Sequence, residues 1–155
     1  HYKKVTQIAL HNKTAFLYAS NFSIGVNLFF KLNKTLAKIV QNQSDYKASV
    51  EEIHHIHKLD APSGTAITLA EEIIENSNLK QWCKQDAGED ELEIKSIREG
   101  EVAGIHTIQY KSDIDSITIR HEAFDRKGFA YGALIAAEWI VGKKGIFKMD
   151  DVLNF

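Results

Sequence analysis

The sequence predicts an α+β fold: a mixed, mostly four-stranded sheet with helices packed on one face. Three observations carry this expectation. Strand-like segments follow one another at about 91–98, 103–111 and 115–122, separated by short Gly- or Asp-containing turns. Three other segments repeat apolar residues at helical spacing. The chain has 155 residues with a single proline, no internal repeat and no low-complexity tract, enough for an ordinary apolar core.

Residues 5–19, "VTQIALHNKTAFLYA", predict a helix end, a loop at "HNKT" and a short buried strand, "AFLYA". In the next segment Val26, Phe29, Leu32, Leu36, Ile39 and Val40 recur at helical spacing, with Ser23 as N-cap. Lys31, Asn33, Lys34, Lys38 and Gln41 form the face expected in water. Residues 48–58, "ASVEEIHHIHK", predict a strand entering a loop. A helix follows from about Ser63 to Asn76, with Ala66, Ala70, Ile73 and Ile74 on one face and Pro62 just before it. "NSNLKQWCKQDAGED" is expected as a polar connection. After the three strand candidates, "GFAYGALIAAEWIVG" predicts a helix packing through Ala130, Ala133, Leu134, Ala137 and Ile140 and stopping at Gly142. The tail is short and mixed.

Composition narrows the function classes. A net charge of −2 points to neither nucleic acid nor an anionic membrane as partner. No apolar run approaches the ~18 residues of a membrane span, and the first residues lack a signal-peptide core. Cys83 stands alone, which excludes an intrachain disulfide or a C-x-x-C site and fits a reducing compartment. No G-x-G-x-x-G phosphate loop is present. The chain opens at His1 rather than methionine, as expected of a piece of a longer protein or of one whose first residues are missing.

The densest chemistry lies in residues 51–66, "EEIHHIHKLDAPSGTA". On a continuing strand, His54 and Lys58 share one face and His55 and His57 the other. All four can serve one site only if the strand ends near His55. The Asp-Ala-Pro-Ser-Gly-Thr stretch predicts such an ending: Pro62 biases Ala61 away from helix, and Gly64 permits close approach to the backbone. Ser63, Gly64 and Thr65 then open a helix whose first amides lack intrahelical partners, an anion cradle beside imidazoles and an ammonium. A small carboxylate-bearing molecule suits it, with histidine able to move a proton and Lys58 able to hold a carboxylate or give a proton. A bland alternative is a half-exposed His-rich edge beside an ordinary helix cap. A second functional reading is a zinc-dependent hydrolase, in which His55-x-His57 supplies two ligands and His106, His121 or Glu52 a third. Lys58 and the helix amides oppose a dication there, so no metal is expected.

The same stretch resembles the signature of the 4-hydroxy-tetrahydrodipicolinate reductase (dihydrodipicolinate reductase) family, E-x-H-H-x-x-K-x-D-A-P-S-G-T-A. Glu52, His54, His55, Lys58 and the run Asp60 to Ala66 match it without exception. "ASNFSIGVN" at 19–27, "REGEVAGIHTI" at 98–108 and "ITIRHEAFDRKGFAYGALIAAEWI" are similar to three further family segments, so the likeness spans essentially the whole chain. The resemblance implies a C-terminal portion of a reductase of lysine and diaminopimelate synthesis. Residues 1–22 would be the last elements of a Rossmann-type dinucleotide-binding domain. Residues 23–126 would form a substrate-binding and tetramer-forming domain, and 127–155 a closing helix and tail returning to the first. It implies NADH or NADPH as cofactor, a small dicarboxylate substrate, a homotetramer and a cytoplasmic location. His54 and Lys58 would handle the proton, while His55, Gly64 and Thr65 would hold a substrate carboxylate. Ala19, Ser20, Asn21 and Phe22 would touch the nicotinamide, with Arg126 a weaker further contact. His57 has no role in this scheme, and the portion alone is expected to be inactive. Ser20 departs from the proline common in the family, and "QWCKQDAGEDELEI" is shorter and more acidic than the usual loop.

Overall fold

The computed structural model describes all of residues 1–155. In chain order the elements are α1 (Tyr2–His11), β1 (Ala15–Leu17), α2 (Ile24–Val40), β2 (Lys47–His54), α3 (Gly64–Glu75), β3 (Gln81–Cys83), β4 (Glu91–Arg98), β5 (Gly104–Lys111), β6 (Ser116–Ala123), α4 (Lys127–Trp139), β7 (Gly145–Phe147) and α5 (Met149–Leu153). They fall into two compact units, His1–Asn27 with Lys127–Phe155, and Leu28–Arg126. The helix α2 starts in the first and continues into the second.

In the first unit β1 pairs in parallel with β7, joining the two ends of the chain. The expected tail therefore holds a strand and a short helix. The predicted packing face of α4 is corrected. Ala130, Ala133, Leu134 and Ala137 are exposed and Ile140 is half-buried, whereas Gly132 and Ala136 are buried. This helix is apolar nearly all round, so spacing alone could not orient it. Contact with the chain at Phe22 does: a Cβ on Gly132 would stand 1.9 Å from the Phe22 carbonyl oxygen. Gly142 adopts a positive φ of 75° beyond the helix end, as a stop residue should.

The second unit is a mixed α/β structure around a five-stranded sheet in the order β3-β4-β2-β5-β6. Strands β3, β4 and β2 run parallel; β5 and β6 are antiparallel additions. The expected count of four strands is thus corrected to five. The extra strand, β3, lies inside the stretch expected as a polar connection. Three residues on a sheet edge are too few to show a period-2 pattern. Helix α3 packs on β2, β3 and β4. Its Ala66, Leu69, Ala70 and Ile73 are buried, as are Val50, Leu92, Ile94 and Ile108 of the sheet. The opposite sheet face carries Glu51, Lys95, Thr107, Gln109, Thr118, Arg120 and Glu122, half-buried to exposed.

The buried face of α2 differs from the expected one. Phe29, Phe30, Asn33, Ala37 and Val40 are buried, while Leu32 and Ile39 are exposed. Asn33, expected in water, is fully buried. Its Nδ2 donates to the Leu69 carbonyl and to Glu72 Oε2, both at 3.0 Å, tying α2 to α3. Two adjacent phenylalanines outweigh the Leu32–Leu36–Ile39 stripe in choosing which side is buried.

Candidate functional site

Strand β2 ends at His54, so the condition for gathering the following residues is met. The chain then turns back on the segment after β4. Glu99 N–H donates to the His54 carbonyl at 2.8 Å, Ile56 N–H to Gly100 at 3.1 Å, and Lys58 N–H to His55 at 3.1 Å. Ala61–Pro62 is a cis peptide. Ser63 then caps α3 from an extended conformation, its Oγ accepting from Ala66 N–H at 3.2 Å.

Glu52 and His54 are two apart on β2, which puts them on the same sheet face. Cross-strand register adds His106 opposite Glu52, His121 opposite His106, and Arg98 opposite His54. Glu52 is completely buried and gathers this group. The Ser63 N–H is 3.1 Å from both of its oxygens. Arg98 Nη2 donates to Oε1 at 3.2 Å. His54 Nδ1 lies 3.4 Å from Oε2, and His106 Nε2 lies 3.7 Å from the same oxygen and 3.2 Å from Ser63 Oγ. Arg98 also reaches into the loop, donating to the carbonyls of Asp60 at 2.6 Å and Lys58 at 3.3 Å. Lys58 Nζ forms a two-pronged pair with the Asp60 carboxylate at 2.8 and 2.9 Å.

Charge in this group follows from burial and partners. Burial pushes the Glu52 carboxyl up, but hydrogen bonding from Ser63 and the nearby His54 outweighs it and holds the group below its usual value. Burial lowers His54; Glu52 opposes this, while the charges of Lys58 and Arg98 reinforce it. His106 is driven down to about 3, chiefly by burial. Burial also lowers His121, whose ring stacks on Phe29. At neutral pH the group is therefore an anionic Glu52 among neutral imidazoles.

Lys58 lies four residues beyond His54 with its Nζ on Asp60, and its charge adds to the influences that lower the imidazole. His55 is half-buried beside the loop, its ring 6.1 Å from that of His57. His57 is exposed and pairs with Glu101 at 3.3 Å. Gly64 is exposed, with no atom within 4 Å of where its Cβ would stand, and Thr65 is buried. The expected cradle shrinks by one donor, because the Ser63 amide is already given to Glu52. The residues Ala19 to Phe22 lie in the first unit, where Asn21 Oδ1 accepts from Ser23 N–H at 2.8 Å and its carbonyl from Asn27 Nδ2 at 3.0 Å. Ligand-type atoms do converge, but from Glu52, His54 and His106, all within 4.8 Å of one another, rather than from His55 and His57. The Arg98 guanidinium already sits on that carboxylate, which opposes a dication.

Reasoning from sequence gave Ser63 only as the opening of the helix and Glu52 and His106 only as possible metal ligands, and it gave Arg98 no part in the site. The Glu-x-His spacing was the available signal for Glu52. Arg98 and His106 needed the strand register.

The family model described as "Dihydrodipicolinate reductase, C-terminus" matches residues 25–153. A 4-hydroxy-tetrahydrodipicolinate reductase of Christiangramia forsetii is 54% identical over 154 residues, covering 99% of this chain and 64% of that protein. One from Aquifex aeolicus is 42% identical over 159 residues, covering 98% and 60%. The chain thus spans about three fifths of the length of the curated relatives it matches. A solved structure of dipicolinate-bound dihydrodipicolinate reductase from Paenisporosarcina sp. TG-14 superposes with a TM-score of 0.71 at 25% identity, covering 97% of this chain and 59% of that one.

Proposed function

The chain belongs to the dihydrodipicolinate reductase family, and from that premise we propose that it forms the substrate-binding part of a 4-hydroxy-tetrahydrodipicolinate reductase. The observation that supports this best is the segment after β2, where one buried carboxylate meets His54 and the start of α3 and, through Arg98, holds the backbone of Lys58. The substrate class is a planar ring with two carboxylates, like the dipicolinate bound in the solved relative.

In this reading the amides of Gly64 and Thr65, with the dipole of α3 behind them, hold one carboxylate of the ring. His55 flanks that carboxylate. His54, kept neutral by burial, accepts or passes a proton. Lys58, released from Asp60 by the arriving substrate, is the cationic member of the pair and gives the proton to the ring carbon next to the one reduced. When bound, NADH or NADPH supplies the hydride. The residues Ala19 to Phe22 suit its nicotinamide end. They follow β1, which pairs in parallel with β7, and ligands settle at the carboxyl ends of parallel strands. The β1–β7 pair and its helices are then the closing elements of a Rossmann-type domain whose phosphate loop lies outside these residues. Assembly as a homotetramer through the open, polar-and-apolar sheet face and a cytoplasmic location complete the proposal.

The test is steady-state turnover in the protein joined to its complete dinucleotide-binding half. His54→Gln and Lys58→Ala are each expected to lower kcat by about 10²–10⁴-fold. A loss below tenfold in both removes them from the mechanism. The 155-residue chain alone should bind pyridine-2,6-dicarboxylate without reducing substrate; robust turnover from it overturns the domain assignment.

A further inference from the structure

Glu52 touches no substrate in the reading above, yet more of the site converges on it than on any residue given a chemical role. Its two oxygens have separate clienteles. Oε1 receives the Arg98 guanidinium at 3.2 Å, whereas Oε2 faces the imidazoles, with His54 Nδ1 at 3.4 Å and His106 Nε2 at 3.7 Å. The Ser63 N–H is shared between them. His54 Nδ1 is buried and has no better partner than that oxygen. A neutral imidazole must carry its proton on one nitrogen and a lone pair on the other. A lone pair on Nδ1 would face an anion in a buried setting, and a proton there faces the same anion favourably. On the other side of the ring, the space beside Nε2 is kept clear by a missing side chain, since a Cβ on Gly104 would stand 3.2 Å from Nε2 and 3.4 Å from Cδ2.

We propose that Glu52 is a positioning residue that fixes His54 as the Nδ1–H tautomer and so turns its Nε2 lone pair toward the substrate. It acts through His54 and not on the substrate. The proposal rests on the reductase reading only for its kinetic consequence, because the tautomer itself is a property of the folded protein.

The decisive variant is Glu52→Gln, nearly the same in shape. Arg98 is a donor only, so the new amide keeps its oxygen toward Arg98 and presents its NH2 to His54. Nδ1 must then accept, and the proton moves to Nε2. Long-range ¹H–¹⁵N NMR of the histidine-labelled full-length protein reads this directly. The wild type is expected to show His54 protonated on Nδ1, and Glu52→Gln to show it on Nε2. Glu51→Gln, on the opposite sheet face and paired with Lys95, should leave the tautomer unchanged. In turnover, Glu52→Gln should lower kcat by roughly 10²-fold or more, the scale of a lost acid–base group, with KM changing less than about threefold. Glu52→Gln combined with His54→Gln should be no slower than His54→Gln alone. A wild-type His54 protonated on Nε2 overturns the proposal even if the variant does not fold. So does a Glu52→Gln protein that keeps Nδ1–H, or one whose loss multiplies in full with that of His54→Gln. If His54→Gln itself retains more than a tenth of turnover, the reductase role of His54 fails, and the NMR result still decides whether Glu52 sets its tautomer.

Discussion

His106 should make the second unit acid-sensitive from a pH well above the range where carboxylates titrate. Its imidazole is buried on the helix-covered side of the sheet, with Glu52, Ser63, His54 and His121 around it, and its pKa falls from an ordinary 6.5 to about 3. The sign follows from proton counting. Between these two values the unfolded chain binds a proton at His106 and the folded chain does not, so stability falls as pH falls. The contribution is fully present above about pH 6.5 and is lost progressively toward pH 3. Taking 6.5 and 3 as the two values, the loss between pH 7 and pH 5 is about 2 kcal/mol. His54 and His121 are also lowered by burial and add in the same direction, so a comparison is needed. The variant His106→Gln removes this site while leaving neighbouring charges in the folded protein alone, because folded His106 is neutral between pH 7 and pH 5. Urea unfolding followed at Trp82 of β3, with Trp139→Phe as background, reports the second unit alone. The pH 7 to pH 5 loss should be about 2 kcal/mol smaller in His106→Gln than in the parent. If the two proteins have the same pH dependence within about 0.5 kcal/mol, the burial argument for His106 is wrong.

Two further substitutions test close approaches. Gly104→Ala puts a methyl group 3.2 Å from His54 Nε2, so it should lower kcat by about tenfold or more through displacement of that ring, and it should also lower the unfolding midpoint, because Gly104 holds a φ of 157° that a residue with a side chain rarely adopts; unchanged turnover means the ring can yield without consequence. Gly132→Ala brings a Cβ to 1.9 Å from the Phe22 carbonyl oxygen and 2.8 Å from its carbon, where only backbone can move. It should destabilise the first unit by about 1–3 kcal/mol in unfolding followed at Trp139, and weaken NADH or NADPH binding in the full-length protein before it affects binding of the dicarboxylate.

Legibility in the sequence depended on range. The end of β2, the Ser63 cap and the three-strand run were visible because their signals are local: a proline, a small hydroxyl, an alternation of side chains. β3 was not, since three residues cannot display a period. The face of α2 was misjudged because Asn33 is polar by type and buried by circumstance, its amide satisfied by groups 36 and 39 residues away. The orientation of α4 was hidden by its uniform apolarity, and it was decided by the one residue with no side chain to obstruct Phe22. At the site, the reactive types were legible as a cluster, but the carboxylate organising them pairs with an arginine 46 residues away. Only strand register brings those two together.

That pairing bears on why the site is built this way. A buried ion pair is a poor source of stability, because desolvation consumes most of the attraction, and apolar replacements of similar volume often do as well or better. The Glu52–Arg98 pair is tolerable only because nearly every polar atom is engaged. The carboxylate accepts from Ser63 and Arg98, and the guanidinium donates to the carbonyls of Ile97, Lys58 and Asp60 besides the carboxylate. Two of those carbonyls belong to the loop that carries Lys58, and Ser63 begins the helix that carries Gly64 and Thr65. One pair therefore fixes three things in a single frame: the imidazole of His54, the backbone that presents Lys58, and the open end of α3. Apolar residues could fill the same volume, but none can hold backbone carbonyls and an amide from three separate segments at once. The geometric requirement of holding backbone from three segments in one register, rather than any gain in folding free energy, accounts for charges buried at this position.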